Sequence, residues 1–130
     1  MKHITLLIFT VSKSSSKAYR GLRNIARDEL SLKDYANSLK HWNYIIGNYK
    51  DNISHLEYSS RASVRSKLKD FENAIADLDT AIQINPSFAN SYITRGLLKV
   101  YIKEDGCEDF SKALELNHRN ASRMKERYCD

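Results

Sequence analysis

Glycine and proline are scarce, at four and one among 130 residues. That scarcity argues against many short strands joined by tight turns, and the Leu, Ala, Lys, Glu, Ser and Asn that fill the chain favour long helices with short connections. No apolar run approaches the roughly 20 residues of a membrane span. The four histidines, His3, His41, His55 and His118, share no paired spacing with one another or with cysteine, so no zinc motif is present. There is no Gly-rich phosphate loop, nucleophile elbow or Glu-x-x-His pair either. The chain is therefore expected to have no catalytic, cofactor or metal site and not to be an enzyme. What is present, 42% apolar residues with 10% aromatic, covers the core of one modest all-α domain.

The formal charge of +5 is unevenly spread. Lys2 and Lys13 supply two of those charges, and most of the remaining +3 sits between residues 17 and 54. Residues 55–88 and 89–130 are close to neutral, which weighs against nucleic acid as a partner, because affinity for a phosphate backbone rises with the number of phosphates neutralised.

Residues 1–16 differ from the rest. Met1-Lys2-His3 is followed by the apolar run Ile4 to Val11 and then by Ser12-Lys13-Ser14-Ser15-Ser16. This is the layout of a secretory leader, with cuts after Ser12 or Ser16 that leave the first expected helix whole. On that reading the chain is exported, periplasmic or secreted; without cleavage it is cytoplasmic. The other readings are an ordered N-terminal segment that packs on the rest of the chain, or a start that truncates a longer repeat protein.

Self-similarity is the strongest signal. Leu32-Lys33-Asp34-Tyr35 overlies Leu68-Lys69-Asp70-Phe71 at an offset of 36, which also carries Ala26 to Ala62 and Trp42 to Leu78. Tyr58, Ala62 and Leu68 map to Tyr92, Gly96 and Ile102 at 34, and Ala74, Leu78 and Ala81 map to Gly106, Phe110 and Ala113 at 32. The drift implies a two-residue insertion near Ile53-Ser54 and a deletion near Glu104-Asp105. Apolar residues within each unit fall at helical spacing, giving two amphipathic helices per unit. Asp34 and Asp70 are expected to cap the second helices, and Asn85-Pro86-Ser87 ends one of them.

Units of about 34 residues with this pattern, best developed from Tyr58 to Phe88, closely resemble tetratricopeptide repeats. The aromatic that often comes after the small residue in the family's first helix is replaced by Glu29, Arg65 and Lys99, and Ser38, Ile45 and Lys50 depart from the pattern in the first unit. The resemblance implies an all-α α-solenoid of three helical hairpins, at about 19–54, 55–88 and 89–118 within a 17–130 repeat domain. A capping helix completes it over 119–130, with Met124 and Tyr128 inward. Small residues at Ala26, Ala62, Gly96, Ala74 and Ala81 let helices approach to about 8–10 Å, and Trp42, Leu78 and Phe110 fill the adjoining grooves. Cys107 and Cys129 read as two independent thiols, with a disulfide between them as the alternative if the chain is exported. The acidic runs Glu104-Asp105 and Glu108-Asp109 read as structural.

The resemblance further implies a non-catalytic module that binds a peptide or protein segment in a groove lined by first helices. The lining residues would be Arg20, Arg23, Asn24 and Arg27 from unit one, with Leu56, Ser59, Ser63 and Lys67 from unit two. Asn90, Ile93, Leu97 and Tyr101 complete it from unit three. Arg20, Arg23 and Arg27 share one helical stripe, so the expected partner is acidic at one end and apolar at the other; Asp28 and Glu29 are expected to point away. Some family members hold a peptide carboxylate with lysines and asparagines spread over three units. Arg23 and Arg27 fill the first unit's share, but Ser60, Asn90 and Thr94 stand at the other positions, so a chaperone adaptor is not expected. The alternatives are a fragment or subunit of a larger array, and a helical-repeat binder of nucleic acid. The chain is expected to be a monomer or to self-associate weakly.

Overall fold

The computed structural model describes the backbone of residues 2–130 and the side chains of residues 16–130. The leader expected over residues 1–16 thus falls almost wholly outside the described side chains. Seven helices and no strand are present among the described residues: α1 (Lys2–Ser31), α2 (Tyr35–Asn48), α3 (His55–Lys67), α4 (Phe71–Ile84), α5 (Ala89–Tyr101), α6 (Cys107–Glu115) and α7 (Ala121–Tyr128), with a 3₁₀ turn over Lys50–Asn52. The chain divides into two compact units, Met1–Ile53 and Ser54–Asp130. The fold is all-α, three hairpins and a cap. No helix among the described residues is long and apolar enough to cross a membrane.

The first unit is one hairpin. Tyr19, Ala26, Trp42 and Ile45 are buried, and the Ser38 hydroxyl donates to the Ala26 carbonyl at 2.7 Å across the two helices. Serine thus does the spacing work of the family's alanine there, with its polar atom satisfied. In the second unit, α3 and α4 form one hairpin and α5 and α6 the next. Ala62, Ala74 and Leu78 pack with Leu98 of α5, and Tyr92, Ile93, Phe110 and Ala113 pack with Ala121 of α7.

The hairpin bends share one device. Lys33, Lys69 and Lys103 all take the left-handed conformation, with φ of 63°, 62° and 64°. In each, the next amide reaches back five residues: Asp34 N to Glu29 O, Asp70 N to Arg65 O and Glu104 N to Lys99 O. Asn117 repeats it before α7, where His118 N reaches Ala113 O. This closure satisfies the last helical carbonyls, a role usually given to glycine because a Cβ is disfavoured at positive φ.

Three expectations need correction. Asp34 accepts from the Asn37 amide, but Asp70 makes no such bond and instead holds the Asn73 side-chain amide at 2.9 and 3.1 Å. A carboxamide three residues on can satisfy the carboxylate without the backbone. The deletion near Glu104-Asp105 shortens a helix and not the bend, since α6 has nine residues where α4 has 14. Cys107 and Cys129 are joined in a disulfide, because the path of α7 brings their Cα atoms to 5.8 Å; a separation of 22 residues gave no hint of that proximity. Sequence reasoning also missed the box at the start of α3, where Glu57 accepts from Ser54 N and Ser54 Oγ.

Gly96 of α5 and Gly106 at the start of α6 lie in close approach. A Cβ on Gly106 would run into the backbone of Gly96, and one on Gly96 would lie 2.6 Å from Phe110. Gly106→Ala is expected to cost on the order of 1–3 kcal/mol by overpacking. Lys69→Gly is expected to add about 0.5–1 kcal/mol by relieving a left-handed residue. Urea midpoints of the two variants should move in opposite directions, and a shared direction would contradict this account of the bends.

Candidate functional site

The expected groove residues divide by helix. On α1, Arg20, Asn24 and Arg27 are exposed and Arg23 is half-buried. Asn24 and Arg27 line a surface pocket of about 450 Å³ together with Asp28 and Ser31. Asp28 therefore borders the arginine stripe, contrary to expectation, since residues 24, 27, 28 and 31 have the i, i+3, i+4, i+7 spacing of one helical face. Glu29 does point away. Among the described residues neither Arg20 nor Arg27 makes an ion pair or a side-chain hydrogen bond.

On α3, Ser63 and Lys67 are exposed and Ser59 is half-buried, with the Ser63 hydroxyl donating to the Ser59 carbonyl at 3.1 Å. On α5, Asn90 is exposed and Leu97 is half-buried against the core. Ile93 does not line an open surface. It is 6% exposed and belongs to the cluster of Tyr92, Phe110, Ala113 and Ala121, where an aliphatic side chain gains more from burial than from solvent contact. Tyr101 is 72% exposed, its ring tilted against that of Phe71 with centres 4.9 Å apart.

Three further arginines, Arg61, Arg65 and Arg95, are engaged within the fold. Arg61 forms a two-pronged pair with Asp77, at 3.0 and 2.7 Å, and Arg65 adds a third bond at 2.8 Å. Arg95 repeats the fork on Asp109 at 2.9 and 2.7 Å, reaches Asp79 at 2.8 Å, and is joined by Lys99 at 3.5 Å from Asp109. The guanidinium of Arg61 lies 5.7 Å from the Tyr58 ring centre and that of Arg95 5.8 Å from that of Tyr92. The bond to Asp109 holds Arg95 above its ordinary range, with burial opposing, so it stays charged at any accessible pH. In the first hairpin the acid sits on the other helix: Glu29 lies where Arg65 does and His41 where Asp77 does, joined by a 2.7 Å contact between Glu29 and His41 Nδ1.

These latches occupy the positions where the family's aromatic was missing. Their signal lay in the same offsets: Arg61 to Arg95 and Arg65 to Lys99 at 34, Asp77 to Asp109 at 32. The acidic pair Glu108-Asp109, expected to be structural, contributes Asp109 to this core. Among the described residues no group of three or more His, Cys, Asp or Glu could hold a metal ion.

Asp77 is 4% exposed and neutralises two guanidiniums, so Asp77→Asn leaves two part-buried cations facing an amide. A loss of about 3–5 kcal/mol is expected. Asp79→Asn removes a partner that is 53% exposed and should cost about 1 kcal/mol or less. Equal thermal midpoints for the two variants would show that the forks do not hold the hairpins.

No protein-family model matches the chain. Small glutamine-rich tetratricopeptide repeat-containing protein 2 of Saccharomyces cerevisiae is 29% identical over 122 residues, covering 80% of this chain and 35% of that protein. DnaJ homolog subfamily C member 7 of Mus musculus is 27% identical over 96 residues, covering 72% of this chain and 19% of its own length. The chain thus spans about a third or less of these relatives. Among solved structures, the TPR2B domain of yeast Sti1, in a pHsp70 complex, superposes with a TM-score of 0.74 at 25% identity, over 85% of this chain and 92% of that one. The second TPR domain of human RPAP3, in complex with the Hsp70 peptide SGPTIEEVD, gives 0.78 at 17% identity over 89% and 98%. In its sequence period and in its fold, the chain matches tetratricopeptide-repeat domains.

Proposed function

We propose that the chain is a non-catalytic module that binds a peptide with an acidic end, using the α1 stripe of Arg20, Arg23, Asn24 and Arg27 as the acid-binding part. One observation carries this reading. Arg61, Arg65 and Arg95 are committed to carboxylates of the fold, whereas Arg20 and Arg27 have no such partner among the described residues. Like charges at this spacing cost a helix a few tenths of a kcal/mol, and carboxylates in forked contact with guanidinium would offset that repulsion. Within the second unit, Ser63, Lys67, Asn90, Leu97 and Tyr101 are the proposed peptide contacts, with Tyr101 and Leu97 for apolar side chains. The yeast Sti1 domain, in its pHsp70 complex, supports peptide binding by this fold. Ser60, Asn90 and Thr94 give this chain a different set of polar groups, so its specificity is its own.

SGPTIEEVD serves as an acidic probe. Replacing Arg20 and Arg27 together by alanine is expected to weaken its binding about tenfold or more, the loss of about 1.4 kcal/mol or more in charge-assisted contacts. Replacing the exposed Lys40 and Lys103 should change it little, and added salt should weaken the wild-type complex. Fluorescence anisotropy reads all three, and an unchanged affinity of the arginine variant at low salt would reduce the stripe to a solvated face. Tighter capture of a single-stranded oligonucleotide than of the peptide would favour the nucleic-acid reading.

We also propose export. The order of residues 1–16 and the disulfide together support it, because disulfides persist in oxidising compartments. N-terminal sequencing of the bulk protein from its native host should begin after Ser12 or Ser16; recovery of Met1 or Lys2 would overturn the proposal.

A further inference from the structure

The cap α7 is poorly equipped to stay docked by its own contacts. It has eight residues, short of the roughly 12–15 at which an isolated helix becomes even marginal. Asn120 makes no side-chain capping bond, and the first turn carries Arg123 but no acid, so the positive end of the helix dipole is unrelieved. Only Ala121 is fully buried; Met124 is half-buried, and Tyr128 is 39% exposed beside Phe110, with ring centres 6.0 Å apart.

What lies beneath it is apolar. Phe110 and Ala113 are fully buried and belong to one cluster with Ala121, against which Met124 packs. At an offset of 32, Ala89, Tyr92 and Arg95 correspond to Ala121, Met124 and Arg127, so α7 is the abbreviated first helix of a further repeat. The disulfide joins Cys107, the first residue of α6, to Cys129, just past the end of α7, and both cysteines are part-exposed. A weakly held helix over an apolar face is thereby tied at its far end by a bond that a reductant can reach.

We propose that α7 is a redox-locked lid on the end of the repeat array. A dithiol opens it: one thiolate attacks a cystine sulfur and breaks the S–S bond, and the second thiol resolves the mixed disulfide. Cys107 and Cys129 are released as thiols, the reductant becomes a disulfide, and two electrons and two protons pass to the protein. The freed α7 then undocks, while α3 and α4 keep their own packing and ion pairs. Repeat proteins allow this because each repeat depends on its neighbours alone and terminal units open first. The length of the folded array thus depends on redox state.

Hydrogen exchange of the full chain, oxidised and then reduced with dithiothreitol, tests the lid. Closing a loop of 22 residues by a disulfide corresponds to about two orders of magnitude in an opening equilibrium. Amides of residues 121–129 are therefore expected to exchange on the order of 100-fold faster after reduction, with those of α3 and α4 unchanged and reoxidation restoring protection. The double variant Cys107→Ser and Cys129→Ser should match the reduced protein. Unchanged exchange in α7, with both thiols shown free by alkylation, would overturn the proposal. So would acceleration throughout α3–α6, which would make the bond a general staple, or slow exchange of α7 in the double variant.

Discussion

Close approach of paired helices is the constraint on which the rest of the structure depends. Ser38 can reach the Ala26 carbonyl, and Gly106 can lie against the Gly96 backbone, only because no larger side chain stands between the helices at those points. Once the backbones are this near, little room is left in each hairpin, and large residues are displaced to the flanking grooves. Trp42, Leu78 and Phe110 fill those grooves and are essentially fully buried.

The narrow spacing also shapes the polar interior. Carboxylates buried this deeply are tolerated only when their lone pairs are taken up, and Asp77 and Asp109 each meet a forked arginine supported by a second cation. Arg65 and Lys99, at the positions where the family often has an aromatic, reach the same carboxylates as these forks. The forks also withdraw arginines from the surface. The protein's positive charge is accordingly a poor guide to what it binds until the committed guanidiniums are set aside, and the exposed arginines left are then those of α1 and those of the C-terminal stretch from Arg119 to Arg127.

Much of the fold was legible because small and large apolar residues recur at offsets of 36, 34 and 32, and such periodicity has few physical causes. The bends, the hairpin order and the cap are consequences of it. What escaped was carried by pairs distant in sequence. Asp77 and Arg61 announce their partnership only once two helices are placed side by side, and Cys107 and Cys129 only when α7 has turned back on α6. Ile93 shows a different limit: angle on a helix assigns a face, but not how much of that face its neighbours cover. Asp28 shows another, since its 80° offset from Arg20 still leaves it beside Arg27 in one pocket.

The exchanged place of the acid in the first hairpin bears on how the chain avoids misassembly. Repeats of similar sequence invite the wrong helices to pair, and near-equal alternatives roughen a folding landscape. Were α1 to fold against α4, Glu29 would face Asp77, two carboxylates with no cation between them. Were α3 to fold against α2, Arg65 would meet His41, a site that offers it no negative charge. The native partners, Glu29 with His41 and Arg65 with Asp77, are each satisfied. Moving the acid from one helix of the hairpin to the other between neighbouring repeats thus acts as an address label, telling otherwise interchangeable helices which partner is their own.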